Sequence, residues 1–131
     1  MKFTDGFWQA RPGVDAHYAQ EAYRIEADGD RVVITAPTKV IERRGDTLNR
    51  PVLTVTLSSP AEGVIRVRTD NHVGTRPSPG FELPGAREGA GTAVALEDGS
   101  AELRSGSITA RITPGAPWNL SFLSGERTLT T

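Results

Sequence analysis

Apolar and polar residues alternate along short stretches of this chain, and residues that favour turns separate the stretches. In 51–58, leucine and valine alternate with threonine, and in 64–69 isoleucine and valine alternate with arginine. A period of two residues places one set of side chains on a buried face and the other in water, as in a half-buried β-strand. The intervening 59–63 contains proline and glycine, so the two strands are predicted to form a hairpin.

The same alternation predicts further short strands and almost no helix. A helical turn fits only 15–21, and 71–91 is predicted to be irregular because it holds three prolines and five glycines. The additional strands are predicted at 3–9, 23–27, 31–36, 39–43, 92–97, 101–104, 107–113 and 118–123. The side chains predicted to be buried are Leu53, Val55, Leu57, Ile65, Val67, Ile108, Ile112, Leu120 and Phe122.

Glycine-containing turn pairs recur between these strands. Such pairs allow the tight turns that join neighbouring antiparallel strands. Short strands at this spacing favour an all-β fold, an antiparallel β-sandwich, over alternating strands and helices. The pairs are Asp28-Gly29, Asp98-Gly99, Ser105-Gly106, Pro114-Gly115 and Ser124-Gly125.

Composition restricts the class of protein further. With 131 residues, the chain is predicted to fold as one domain, 1–131, around a single core. A net charge of −1 predicts no nucleic-acid or membrane partner, and the scattered arginines are interpreted as composition rather than as an anion-binding surface. No cysteine is present for disulfides or thiolate metal sites. Without a membrane-length apolar run or a signal peptide, a cytoplasmic location is predicted.

No group of residues in the sequence forms a recognisable catalytic or metal-binding motif. The two histidines, His17 and His72, are far apart, and His72 is better interpreted as part of a turn than as a metal ligand. The glycines in 85–91 do not follow a strand and open a helix, as a dinucleotide-binding loop would. We therefore predict no catalytic, cofactor-binding or metal-binding residue, and no cofactor.

Two acidic pairs invite comparison with the paired carboxylates of glycosidases. Asp28 and Asp30 flank one hairpin glycine, and Glu97 and Asp98 precede another. Because aspartate commonly accepts hydrogen bonds from backbone amides in turns, a turn role is the preferred interpretation.

Three other patterns also have structural interpretations. The tripeptide Arg44-Gly45-Asp46 matches an integrin-recognition sequence but is interpreted as a plain turn, and the sequon Asn119-Leu120-Ser121 is interpreted as a chance match. Aromatic side chains could stack on sugar rings, although Trp118 is assigned to the core because it shares strand parity with Leu120 and Phe122. The aromatic candidates are Trp8, Tyr18, Tyr23, Phe81, Trp118 and Phe122.

The order of several segments resembles the beginning of glycoside hydrolase family 31 enzymes, and of bacterial α-xylosidases in particular. Each segment alone is a weak pattern, but together they span the chain and keep their order. The segments are Phe3-Thr4-Asp5-Gly6-Phe7-Trp8, Ser59-Pro60-Ala61-Glu62-Gly63-Val64, Leu103-Arg104-Ser105-Gly106-Ser107-Ile108 and Trp118-Asn119-Leu120-Ser121-Phe122.

The resemblance implies a galactose mutarotase-like N-terminal β-sandwich, which in that family precedes a (β/α)8 catalytic barrel. The family's nucleophile and acid/base aspartates lie in the barrel, and no residue here matches them. The chain alone is therefore predicted to be inactive. The resemblance also implies that 1–131 is a truncated part of its domain.

Three functions follow as alternatives. The parent protein is predicted to be a retaining α-glycosidase, an α-xylosidase or otherwise an α-glucosidase, that binds carbohydrate at its barrel. The chain could instead be a stand-alone carbohydrate-binding β-sandwich, or a structural interaction module. A truncated sandwich leaves strand edges and an apolar face uncovered. We therefore predict a homo-oligomer with Trp8, Phe81 or 71–91 near its contact.

Overall fold

The computed structural model describes residues 16–71 and 89–131, which form nine β-strands and one short 3-10 helix. The predicted strand at 3–9, Trp8, Phe81, His72 and most of 71–91 lie outside the described residues. The first four strands are β1 (Arg24–Asp28), β2 (Arg31–Pro37), β3 (Val52–Ala61) and β4 (Val64–Asp70). The others are β5 (Thr92–Ala95), β6 (Ala101–Ser105), β7 (Ile108–Ile112), β8 (Leu120–Ser124) and β9 (Arg127–Thr130).

The strands form two antiparallel sheets, and each sheet is a simple meander. The first has the order β1-β2-β3-β4, and the second has the order β5-β6-β7-β8-β9. The first sheet lies against β5, β6 and β7 of the second. The chain is therefore all-β and consistent with a β-sandwich, as the alternation predicted.

Tight turns join most neighbouring strands, as the glycine pairs predicted. Gly29 and Gly106 each open a two-residue hairpin loop, with φ of 58° and 55°. A positive φ at the first loop residue is the requirement of a type II′ turn, which matches the twist of paired strands. Any L side chain with a Cβ is strained at that φ, so glycine is favoured at both positions.

The core lies between the inner faces of the two sheets. Of the nine side chains predicted to be buried, Leu53, Val55, Leu57 and Ile112 are buried. Four more are only half-buried: Ile65, Leu120 and Phe122, which pack against the core, and Ile108. The buried apolar residues are Ala22, Val32, Ile34, Ala36, Leu53, Val55, Leu57, Ala101, Leu103, Ala110 and Ile112.

The prediction for Val67 was wrong, because its side chain is 44% exposed. Val67 is paired directly opposite Leu57, so the two side chains share the inner face of the first sheet. Leu57 is fully buried because β3 lies inside the sheet, whereas Val67 is on the edge strand β4. The alternation along the strand placed Val67 on the correct face of the sheet. Burial also requires that the second sheet cover that part of the face.

Two other local predictions were wrong. The segment 39–43 is not a strand: the Ile41 N–H donates to Glu21 Oε1 at 3.1 Å, and the segment ends in a 3-10 helix, Arg44–Thr47. No helical turn forms in 16–21 either, where the Gln20 N–H instead donates to the Pro37 carbonyl at 2.9 Å. Bonds to distant parts of the chain therefore set the backbone in both places.

One side of the sandwich is closed by backbone hydrogen bonds between the two halves of the chain. The Ala93 N–H donates to the Gly29 carbonyl at 3.0 Å, where β5 meets the β1–β2 turn. Ala22 and Gly115 exchange two further backbone bonds of 2.9 and 3.0 Å. We call this the closed side.

The opposite side, bounded by β4, β8 and β9, is open. Within 16–71 and 89–131, β8 and β9 make no extensive contact with the first sheet. Val64, Val67 and Leu129 are large apolar side chains that remain 44–50% exposed on these strands. We call this the open side. Val67 lies on the inner face of the first sheet and lacks a cover among the described residues, whereas Val64 shares the outer face with Arg66 and Arg68.

Candidate functional site

Asp98 acts as a turn cap in the structure. Asp98 accepts hydrogen bonds from both the N–H and the hydroxyl of Ser100, and from the Arg111 guanidinium at 3.2 Å. Hydrogen bonds from Ser100 are the main reason that the pKa of Asp98 lies below its ordinary value, and the Arg111 charge adds to the effect. Asp28 lies 3.5 Å from Arg31 in an exposed ion pair. The hydrogen bonds of Asp98 are those of a turn residue, as the sequence indicated.

The Arg44-Gly45-Asp46 tripeptide forms the start of the 3-10 helix and is a turn, as predicted. Asp46 accepts the backbone N–H groups of Glu42 and Arg43 at 3.1 and 2.8 Å. Its carboxylate is also paired with Lys39, and that hydrogen bond is the largest cause of the lowered pKa of Asp46. An aspartate engaged in this way stabilises its own loop rather than presenting itself to a partner.

His17 is exposed, and His72 lies outside the described residues. In 16–71 and 89–131, no group of three or more histidine, cysteine or acidic side chains is arranged to hold a metal ion. No helix among these same residues is long and apolar enough to cross a membrane. The prediction that the chain has no catalytic or cofactor-binding residue stays a prediction.

The aromatic residues divide between the core and the surface. Trp118 and Phe122 are half-buried and pack against the core, as their parity predicted. Tyr18 and Tyr23 are 70% and 64% exposed, although the alternation had placed Tyr23 on the buried face. The sequon residue Asn119 is exposed and its side-chain carbonyl accepts the Ser121 hydroxyl at 3.0 Å.

A depression of about 200 Å³ lies on the outer face of the first sheet. Its floor is formed by the short hydroxyl side chains of Thr56 and Ser58 on β3. Arg31 of β2 is paired with Ser58, which is paired in turn with Arg66 of β4. Long side chains on β2 and β4 therefore form walls on either side of a short-residue floor. We call this feature the arginine cleft.

The charges of the arginine cleft are unevenly neutralised. Arg68, paired across the sheet with Thr56, is held by Asp70 through contacts of 2.9–3.2 Å. Arg31 has only the 3.5 Å contact with Asp28, and Arg66 forms no ion pair with the described residues. Among the described residues that line the cleft, three carry a guanidinium group and one, Asp30, carries a carboxylate.

Sequence reasoning missed this cleft because it treated the arginines as scattered. Arg66 and Arg68 alternate on the exposed face of one strand, which is visible in the sequence. Arg31 joins them only through the pairing of β2 with β3 and of β3 with β4. Aligning the predicted hairpins in register could have revealed the cluster.

The fold and these surfaces define an antiparallel all-β domain consistent with a β-sandwich. No family model matches the chain. It is 29% identical over 130 residues to an α-xylosidase, XylQ, of Lactiplantibacillus pentosus, which covers 99% of this chain and 17% of the relative. An α-xylosidase of Emericella nidulans is 37% identical over 68 residues, 52% of this chain and 9% of that relative.

The chain is therefore homologous to part of α-xylosidases, and the resemblance drawn from its motifs is confirmed to that extent. It spans less than a fifth of the length of either relative.

Proposed function

We propose that this chain is a non-catalytic β-sandwich part of a retaining α-glycosidase of glycoside hydrolase family 31 that acts on terminal α-xylosides, or otherwise on α-glucosides. The observation that carries the proposal is the 29% identity to the α-xylosidase of L. pentosus, which runs through essentially the whole chain. In this proposal the two catalytic carboxylates of the retaining reaction lie elsewhere in the protein.

The role proposed for the domain is to pack against the rest of the glycosidase and to support oligomerisation. The open side supplies apolar surface for such contacts, because Val64, Val67 and Leu129 are exposed on its edge strands. Burial of this surface would remove it from water and so favour association. Substrate carbohydrate would bind at the catalytic barrel rather than on this chain.

Activity measurements test the proposal directly. We expect the protein encoded by the complete reading frame to hydrolyse an aryl α-xyloside or α-glucoside, and purified 1–131 to give no turnover above background. Retention of anomeric configuration in the product would support the double-displacement reaction. A full-length protein inactive on both glycosides would refute the assignment. So would turnover by 1–131 that is lost when one of its own carboxylates is replaced.

A stand-alone carbohydrate-binding module is the second candidate. It is favoured by the exposure of Tyr18 and Tyr23, because flat aromatic faces in water can stack on sugar rings. Titration of 1–131 with xylose and with xyloglucan oligosaccharides, observed by tyrosine ring signals in NMR, separates the candidates. Saturable binding that is lost in Tyr23→Ala would favour the carbohydrate-binding module. No change in the ring signals of either tyrosine would favour the glycosidase domain.

A further inference from the structure

The arginine cleft has the geometry of an anion site. Adjacent strands lie about 4.8 Å apart, so the backbones of β2 and β4 are separated by about 10 Å. Arg31 and Arg66 stand on the two sides of that gap, and Ser58 lies between them on β3. Guanidinium groups on long side chains can reach over the gap from both sides. An oxyanion above Ser58 could then accept bonds from both arginines.

The electrostatics favour an anion in the same place. Arg66 and Arg68 are two residues apart on one face of β4, a separation of about 7 Å. Like charges so close repel each other, and the ion pair of Arg68 with Asp70 relieves only part of this repulsion. Arg66 has no such counterion among the described residues, and Arg31 has only a long one. An added negative charge would therefore interact favourably with all three.

The floor of the cleft suits a small oxyanion rather than an apolar ligand. Thr56 and Ser58 carry hydroxyl groups that can donate to anionic oxygens, and both are only half-buried. The volume of about 200 Å³ admits a small metabolite-sized anion rather than a sugar chain. Asp30 opposes the anion, so its carboxylate limits the affinity.

We propose that the outer face of the first sheet binds a small soluble anion through Arg31, Arg66 and Arg68, with a carboxylate or phosphate group seated over Thr56 and Ser58. The site is on the opposite face of the sheet from the core and is independent of the proposed glycosidase role. Planar guanidinium groups pair with either oxyanion in a two-point manner. The occupant is a dissolved metabolite-sized anion rather than another macromolecule.

The test is a titration of purified 1–131 with citrate and, separately, with inorganic phosphate at low ionic strength, observed by amide NMR shifts. We expect saturable shifts confined to residues near 31, 56–58 and 66–68, weakening as salt screens the charges. A stronger response to citrate assigns the site to carboxylates, and a stronger response to phosphate assigns it to phosphate groups.

Charge variants of opposite sign distinguish a specific site from general attraction. Arg66→Gln should weaken binding on the order of tenfold, and Asp30→Asn should strengthen it several-fold by removing repulsion. Arg24→Gln is the matched control, because Arg24 lies on the same face, is paired with Glu26 and does not line the cleft. Binding should be unchanged in that variant.

Two results would overturn the proposal. The first is the absence of localised, saturable shifts with either anion in a chain whose spectrum shows it to be folded. The second is equal weakening by Arg24→Gln and Arg66→Gln, which would indicate only net charge. Strengthening in Asp30→Asn cannot arise from loss of folding, so that variant keeps the test decisive if Arg66→Gln is poorly folded.

Discussion

The closed and open sides of this sandwich are built from the same kinds of residues but differ in what holds them. On the closed side, backbone bonds between Ala93 and Gly29 and between Ala22 and Gly115 join the two halves of the chain. On the open side, the edge strands β4 and β9 carry exposed valine and leucine. Alternation of apolar residues marks the inner face on both sides, whereas burial is complete only where the second sheet reaches.

The difference shows that a side chain on the inner face of a strand is not necessarily buried. Phe122 is paired with Ala110, so both point toward the first sheet, but Ala110 is buried and Phe122 is only half-buried. The apolar surface left on the open side is the kind that marks an interaction site. For this reason we propose that the open side contacts the rest of the protein.

The largest effect on stability is expected from the comparison of two residues that are paired directly across neighbouring strands, Leu57 and Val67. Leu57→Ala should reduce the free energy of unfolding by about 2–5 kcal/mol, because it removes packed atoms and leaves a cavity. Val67→Ala, directly opposite, should cost less than about 1 kcal/mol because that side chain is largely in water. Urea unfolding of both variants measures the difference. Equal costs would show that the open side is covered in solution.

A smaller loss of stability is expected when one member of a buried pair of hydroxyl groups that links the two sheets is removed. The Ser59 and Ser105 hydroxyl oxygens are 2.7 Å apart, and the Gly63 N–H donates to Ser105 Oγ at 3.0 Å. Ser105→Ala leaves that N–H and the Ser59 hydroxyl without this partner, so it should cost about 1–3 kcal/mol.

The matched control for that prediction is Ser107→Ala in the adjacent exposed turn, which should change stability by less than about 0.5 kcal/mol. Urea unfolding again gives both values. If the two serine variants behave alike, the hydroxyl pair contributes nothing to the joining of the sheets.

Local patterns predicted the strands and most of their turns, because alternation and glycine placement act within a few residues. They predicted the buried face at Leu57 correctly and failed at Val67, because sheet order is a long-range property. They also placed a strand at 39–43, where a hydrogen bond from Ile41 to Glu21 instead fixes the backbone. The arginine cleft was missed for the same reason, since three strands assemble it.

The open side is also expected to control self-association. Val67→Lys places a charge on the exposed apolar surface, so it should raise the dissociation constant of any dimer by tenfold or more, which is about 1.4 kcal/mol. Leu48→Lys is the control, because Leu48 is also apolar, is more exposed than Val67 at 69% against 44%, and lies outside the open side. Sedimentation velocity over a range of concentrations measures both. A wild-type chain that is monomeric at about 1 mM would remove the proposed contact between copies.

The smallest effect concerns Asp98, whose turn lies in the second sheet between β5 and β6. Because its folded-state pKa is lowered by Ser100 and Arg111, the aspartate stabilises the fold when it is ionised, above its ordinary pKa of 3.8. That contribution is lost as the pH falls through the lowered folded-state pKa. Asp98→Asn should therefore reduce the acid-dependent loss of stability. Thermal unfolding followed from neutral pH to below 3.8 checks this. Identical pH profiles for the wild type and Asp98→Asn would show that the hydrogen bonds from Ser100 do not persist in solution.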